Sequence, residues 1–177
     1  SGNFAQAVAL SSKMSKINAT IVMPSNAPNV KKNAVIGYGA KVVDCQPTLE
    51  AREKTAQEIV NKTGATFLHP YNCYNVISGN ATATMELLDQ TIQLDSIFAP
   101  IGGGGLISGT VLAANYFSNS KVYGSEPKGA DDAYQSFKSG KLVPMINPKT
   151  IADGLRTSLG DKCFPIIQKY VEDIFTV

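Results

Sequence analysis

The stretch from Ser96 to Glu126, SIFAPIGGGGLISGTVLAANYFSNSKVYGSE, constrains the fold more than any other part of the chain. A short apolar run, Ser96 to Ile101, ends in four consecutive glycines, Gly102, Gly103, Gly104 and Gly105. The small residues that follow predict a helix over Leu106 to Phe117. A second apolar run, Lys121 to Gly124, leads to Glu126. Strand, turn, helix and strand in that order make a parallel β-α-β unit. Residues without a Cβ let the backbone approach a ligand closely and reach positive φ. The turn falls where a helix begins, so unpaired N–H groups and the positive end of the helix dipole face into it. An anion, most often a phosphate, binds well in such a place. A tight strand-to-helix turn without a ligand needs fewer glycines.

The identity of the phosphate ligand is a separate question. A P-loop carries Gly-Lys-Ser or Gly-Lys-Thr at the helix start, whereas Gly105 is followed by Leu106 and Ile107, which excludes an ordinary ATPase. A dinucleotide is the better competitor, because Glu126 stands where a ribose-binding acid would. The GxGxxG spacing is not met, since Ile107 and Ser108 occupy the third-glycine positions. Only a looser spacing to Gly109 is available, and an NAD-binding module stays open at this point.

Composition removes other classes. A chain of 177 residues is long enough for one domain or two small ones. A net charge of +2 gives no electrostatic ground for nucleic acid or an anionic membrane as partner. No apolar run approaches the roughly 20 residues of a membrane span, and no secretory leader is recognisable. The cysteines, Cys45, Cys73 and Cys163, are odd in number and far apart, which points to a reducing compartment, expected to be the cytoplasm. The lone His69 cannot build a metal site and reads as a strand-end residue.

Taken in order, helix formers run from Phe4 to about Lys16, behind Ser1-Gly2-Asn3, whose serine and asparagine are capping residues. A buried strand is predicted over Ala19–Met23, a helix over Asn29–Tyr38 and a strand over Lys41–Cys45. A longer helix follows over Thr48–Thr63, with Leu49, Ala56, Ile59 and Val60 as its apolar stripe and Gly64 as its stop. A third strand is predicted over Ala65–His69. The junction Pro70 to Asn75 is the candidate boundary, placed so that residues 1–72 form a small α/β domain and 73–177 part of a larger one. Beyond it come a helix over Val76–Thr91 with Ile77, Met85 and Leu88 facing inward, the glycine unit, a loop with a short helix, a helix near Pro165–Glu172 and a strand from Ile174. The expected class is α/β with parallel sheets in two lobes. A capping serine as first residue and a nascent strand as last make the chain read as incomplete at both ends.

Three groups together carry a resemblance. SGNFAQAVAL resembles the asparagine loop of fold-type II pyridoxal-phosphate enzymes, usually S-S-G-N-H-x-Q-A, and IGGGGLISG resembles their phosphate loop. YGSEPKGADDAYQSFKSGKL, TIADG and VEDIFTV are similar to the serine racemase and serine/threonine dehydratase branch, and the likeness runs through the whole chain. The resemblance implies the two-lobed architecture of tryptophan synthase β-like enzymes. It also implies pyridoxal 5'-phosphate as cofactor and serine or threonine as substrate, giving D-serine, or pyruvate and ammonia. Gly102, Gly103, Gly104 and Gly105 would hold the phosphate, and Asn3 would bond the phenolic oxygen of the pyridine ring. Ser1 would be the acid/base at the substrate α-carbon, and Gly154 would lie beside the ring. Glu126, the carbonyl of Ala130 and Asp132 would hold Mg²⁺, Ca²⁺ or Mn²⁺. Two carboxylates with a carbonyl between are hard oxygen ligands suited to such an ion, although Asp131 and Asp132 also suit the start of a helix. A homodimer is implied, with ATP as effector at its interface, where Lys31 to Gly39 contribute.

The chain departs from the pattern at four places. The S-x-K-x-R-G segment with the Schiff-base lysine and the S-G-G-N segment lie outside these residues. Phe4 stands for the usual histidine, and Ser78-Gly79-Asn80-Ala81-Thr82 for A-G-Q-G-T. Phe4 and the missing lysine motivate a second hypothesis, a non-catalytic protein that keeps the phosphate loop without the chemistry.

Overall fold

Two hydrophobic periods alternate along the chain, about 3.6 residues in the helices and 2 in the strands, and the computed structural model, which describes residues 2–177, realises them as an α/β fold. The chain divides into two compact units, Ser1–Pro70 and Tyr71–Val177. Tyr71 and Asn72 belong to the second unit because the Asn72 side chain bonds the backbone N–H of Lys162 at 2.9 Å. The sequence boundary, drawn after residue 72, leaves those two residues on the other side.

The first unit runs α1 (Gly2–Met14), β1 (Thr20–Pro24), α2 (Asn29–Gly37), β2 (Lys41–Cys45) and α3 (Leu49–Thr63). β1 and β2 pair in parallel, Thr20 opposite Lys41 and Pro24 opposite Cys45. The core is small: Ala5, Ala9, Met23, Val35 and Ala40. α3 is fixed at its ends, since the Thr48 hydroxyl accepts the Ala51 N–H at 3.1 Å and Gly64 closes the last turn at φ 70°. Its stripe is only half realised. Ala56, Ile59 and Val60 are half-buried, Leu49 is exposed and no residue of the helix is fully buried. The strand expected over Ala65–His69 is not formed. Ala65 to Leu68 are exposed, so the apolar residues there have no sheet face to cover, and the described strands of this unit are β1 and β2 alone. His69 lies edge-on to Phe67, ring centroids 6.1 Å apart.

The second unit runs α4 (Tyr74–Gln90), β3 (Ser96–Pro100), α5 (Gly105–Phe117), β4 (Lys121–Glu126), α6 (Asp132–Ser139), a 3₁₀ turn (Asp153–Leu155), α7 (Phe164–Tyr170) and β5 (Asp173–Thr176). Its parallel sheet has the order β3-β4-β5. Ile97, Ala99, Val122 and Ile174 point from that sheet into a core shared with Ile77, Ile107, Val111, Ala114, Ile167 and Val171. The opposite sheet face carries Phe98, Tyr123 and Phe175, with Phe98 and Tyr123 stacked at 5.1 Å. No helix among the described residues is long and apolar enough to cross a membrane.

One contact decides how α4 meets α5. A Cβ on Gly109 would lie 2.6 Å from the Ala81 nitrogen and 2.6 Å from the Ile77 carbonyl oxygen. The neighbours are backbone, so they cannot swing aside. The inward stripe of α4 is therefore Ile77, Ala81, Thr84 and Leu88 at helical spacing, with Ile77 and Thr84 fully buried. Met85, expected inside, is 39% exposed, because the close approach at Gly109 leaves room for small residues along the line of contact. Gly109→Ala is expected to destabilise the protein by about 1–3 kcal/mol or more through overpacking, read as a lower urea midpoint at unchanged slope.

Candidate functional site

Gly102 to Gly104 form the turn after β3, Gly105 is the first residue of α5, and all four are buried. Their missing Cβ atoms do not face a ligand. A Cβ on Gly102 would lie 3.0 Å from the Gly154 carbonyl oxygen, and one on Gly103 would sit 2.2 Å from Cγ of Tyr71, against its ring. On Gly104 it would meet Leu159 at 2.7 Å and Cys163 at 2.8 Å, and on Gly105 Cβ of Tyr71 at 2.9 Å. Gly104 also has φ +89°, a region that disfavours any side chain. The turn is thus wedged between protein walls, and its amide edge is what is left over. Among the described residues, none of the N–H groups from Gly103 to Ile107 donates to a protein acceptor, and the first that does is Ser108, to the Gly104 carbonyl at 3.0 Å. A row of unpaired donors at the start of a 13-residue helix suits a phosphate dianion.

Gly154, placed beside the cofactor ring by resemblance, lies in the 3₁₀ turn with its carbonyl against Gly102. A Cβ there would meet nothing within 4 Å, so the space next to it is open. The donors and the open space fit the phosphate and ring of pyridoxal phosphate. Asn3 belongs to the first unit, exposed in the first turn of α1. The preceding Gly2 has its Cα packed against the aliphatic chain of Lys31. Ser1 lies outside the described residues.

Glu126, Ala130 and Asp132 are buried together, at 1%, 1% and 2% exposure. Glu126 accepts the N–H of Tyr134 at 2.7 Å and that of Ala133 at 3.4 Å, so it caps the start of α6 from the end of β4. One oxygen of Asp132 accepts the Leu159 N–H at 2.7 Å, and the other, Oδ1, is buried with no partner. Burial pushes the Glu126 carboxyl up to about 8; the Tyr134 N–H pulls it back and the Asp132 charge adds to the rise. Burial likewise pushes Asp132 up to about 6, against the pull of the Leu159 N–H. Two buried carboxylates and one unpartnered oxygen are a donor set for a hard divalent cation. Among the described residues, no group of three or more His, Cys, Asp or Glu surrounds such a position, so carbonyl oxygen or water would complete it. The same geometry removes the NAD reading, because Glu126 is turned into α6 and sealed from any ribose.

The family model for pyridoxal-phosphate-dependent enzymes matches residues 1–177. The chain belongs to this family. It is 46% identical to serine racemase of Arabidopsis thaliana over 178 residues, which is all of this chain and 54% of that protein. It is 46% identical to L-threo-3-hydroxyaspartate ammonia-lyase of Saccharomyces cerevisiae over 179 residues, all of this chain and 55% of that one. The solved structure of maize serine racemase superposes with a TM-score of 0.94 at 43% identity, covering 98% of this chain and 53% of that one. The two-lobed parallel-sheet architecture of fold-type II enzymes is therefore the architecture here, over about half the length of these relatives. Two residues that build this site, Tyr71 and Gly160, were not singled out from sequence. A glycine at 160 and an aromatic residue just ahead of α4 were visible, but only the packing shows what they touch.

The buried carboxylates make stability depend on pH. Both groups have folded values above their ordinary ones, so the unfolded chain loses its protons first and stability falls as pH rises. The fall is expected to start near pH 4, where unfolded Asp ionises, and to end near pH 8. Thermal melts across that pH range should show it.

Proposed function

We propose that the polypeptide carrying this chain is a pyridoxal-phosphate-dependent enzyme that racemises serine, with loss of water from serine or threonine as a side reaction. The observation that carries the reading is the buried glycine turn with its row of unpaired N–H donors at the start of α5. The identity to serine racemases supports it. When bound, the cofactor draws electrons from the substrate α-carbon, so that its proton can leave.

The residues take these roles. Gly102, Gly103, Gly104 and Gly105 hold the phosphate through backbone N–H groups. Gly154 offers backbone and open space beside the ring, and Asn3 bonds the phenolic oxygen. Ser1 moves a proton at one face of the substrate α-carbon, and since a serine hydroxyl is a weak acid and a weak base, its neighbours must tune it. Glu126, the Ala130 carbonyl and Asp132 hold Mg²⁺, Ca²⁺ or Mn²⁺. The protein works as a homodimer with ATP as effector, in the cytoplasm. A second reading, an ammonia-lyase acting on a hydroxyaspartate, is favoured by the equal 46% identity to the yeast enzyme.

The test is to add pyridoxal phosphate to the complete natural polypeptide, reduce with borohydride and look for a covalent adduct by mass. Racemisation of L- and D-serine and release of pyruvate are then followed. Adduct and racemisation are expected. An adduct with ammonia released from hydroxyaspartate, and no racemisation, would favour the second reading. Absence of an adduct would leave a binding protein without the chemistry. Separately, Mg²⁺ is expected to raise the melting temperature by several degrees, as about 1 kcal/mol would, and Asp132→Asn should abolish that rise.

A further inference from the structure

Tyr71 touches the phosphate turn at two points and is itself held from a third. Its ring lies against Gly103, where a Cβ would fall 2.2, 2.3 and 2.4 Å from Cγ, Cδ2 and Cδ1. Its Cβ and Cα stand 2.9 and 3.0 Å from where a Cβ on Gly105 would be. Its carbonyl oxygen accepts the Cys163 thiol at 3.6 Å, and burial keeps that thiol protonated by pushing it up to about 11. The next residue, Asn72, closes the far side. Its side chain bonds Asp161 and the Lys162 N–H, and it packs on Gly160, whose own N–H donates to the Gly103 carbonyl at 3.1 Å. Gly103 is thus gripped on one side by an aromatic ring and on its carbonyl by a neighbouring amide.

We propose that Tyr71, braced by Asn72, is a positioning residue for the phosphate turn: its ring against Gly103 sets the direction in which the amides of Gly103 to Leu106 point. The inference rests on the phosphate reading above and adds a residue to it. A flat ring pressed on a Cα blocks the peptide rotation that would turn an N–H away, so the donors are aimed before any ligand arrives. Such preorganisation lowers the ordering cost of binding.

The experiment compares wild type, Tyr71→Phe and Tyr71→Ala in the complete natural polypeptide, with Tyr71→Leu in place of alanine should that variant not fold. Two readouts are taken: the dissociation constant of pyridoxal phosphate by absorbance, and amide hydrogen exchange at Gly103 to Leu106 without ligand. Tyr71→Ala, or Tyr71→Leu in its place, is expected to weaken cofactor binding about tenfold to a hundredfold, as expected when hydrogen bonds to a charged group are loosened. It should also speed exchange at those amides, while Tyr71→Phe keeps both values. A variant that only melts earlier, with affinity and exchange at Gly103 to Leu106 unchanged, would overturn the proposal. Should the wild type bind no pyridoxal phosphate, the cofactor reading fails, and exchange alone still decides whether Tyr71 aims the turn.

Discussion

The structure of the second unit depends on how tightly a four-residue turn is enclosed. Gly102 to Gly105 pass between the Tyr71 ring, the Gly154 carbonyl and the side chains of Leu159 and Cys163; a Cβ would be tight at Gly102 and would force a shift at Gly103, Gly104 and Gly105. This close packing is what makes the amides available. A turn carrying side chains would stand away from these walls, and its N–H groups could bend back to satisfy one another. Among the described residues, the N–H groups from Gly103 to Ile107 at the start of α5 have no protein acceptor.

The turn is joined to the buried carboxylates through two consecutive residues. Leu159 gives its N–H to Asp132, and Gly160 gives its N–H to the Gly103 carbonyl. A change in the charge of Asp132 therefore acts on the same short segment that holds the glycine turn. Glu126 adds a second constraint by capping α6 from the end of β4, so sheet, helix and carboxylate pair form one rigid corner.

Much of the fold was legible because local signals agreed. Gly64 marked the end of α3, the glycine turn separated β3 from α5, and short apolar runs marked the strands of both units. The failures share one cause. Ala65–His69 has strand composition but pairs with no strand among the described residues, and Ala65 to Leu68 remain exposed. Met85 has the right spacing to be inside, yet the approach of α5 at Gly109 shifts the buried line to Ala81 and Thr84. Spacing reports which residues share a face; the partner determines which face is covered.

The sequence by itself determined the β-α-β unit and the glycine turn at a helix start, because each is written in contiguous residues with fixed local chemistry. Only the tertiary structure decided what the glycines are for. Their missing side chains make room for Tyr71, Gly154, Leu159 and Cys163, which lie tens of residues away in the chain. The tertiary structure also turned Glu126 inward and left one Asp132 oxygen unpaired. Burial and the absence of a partner are properties of packing, and no run of residues states them in advance.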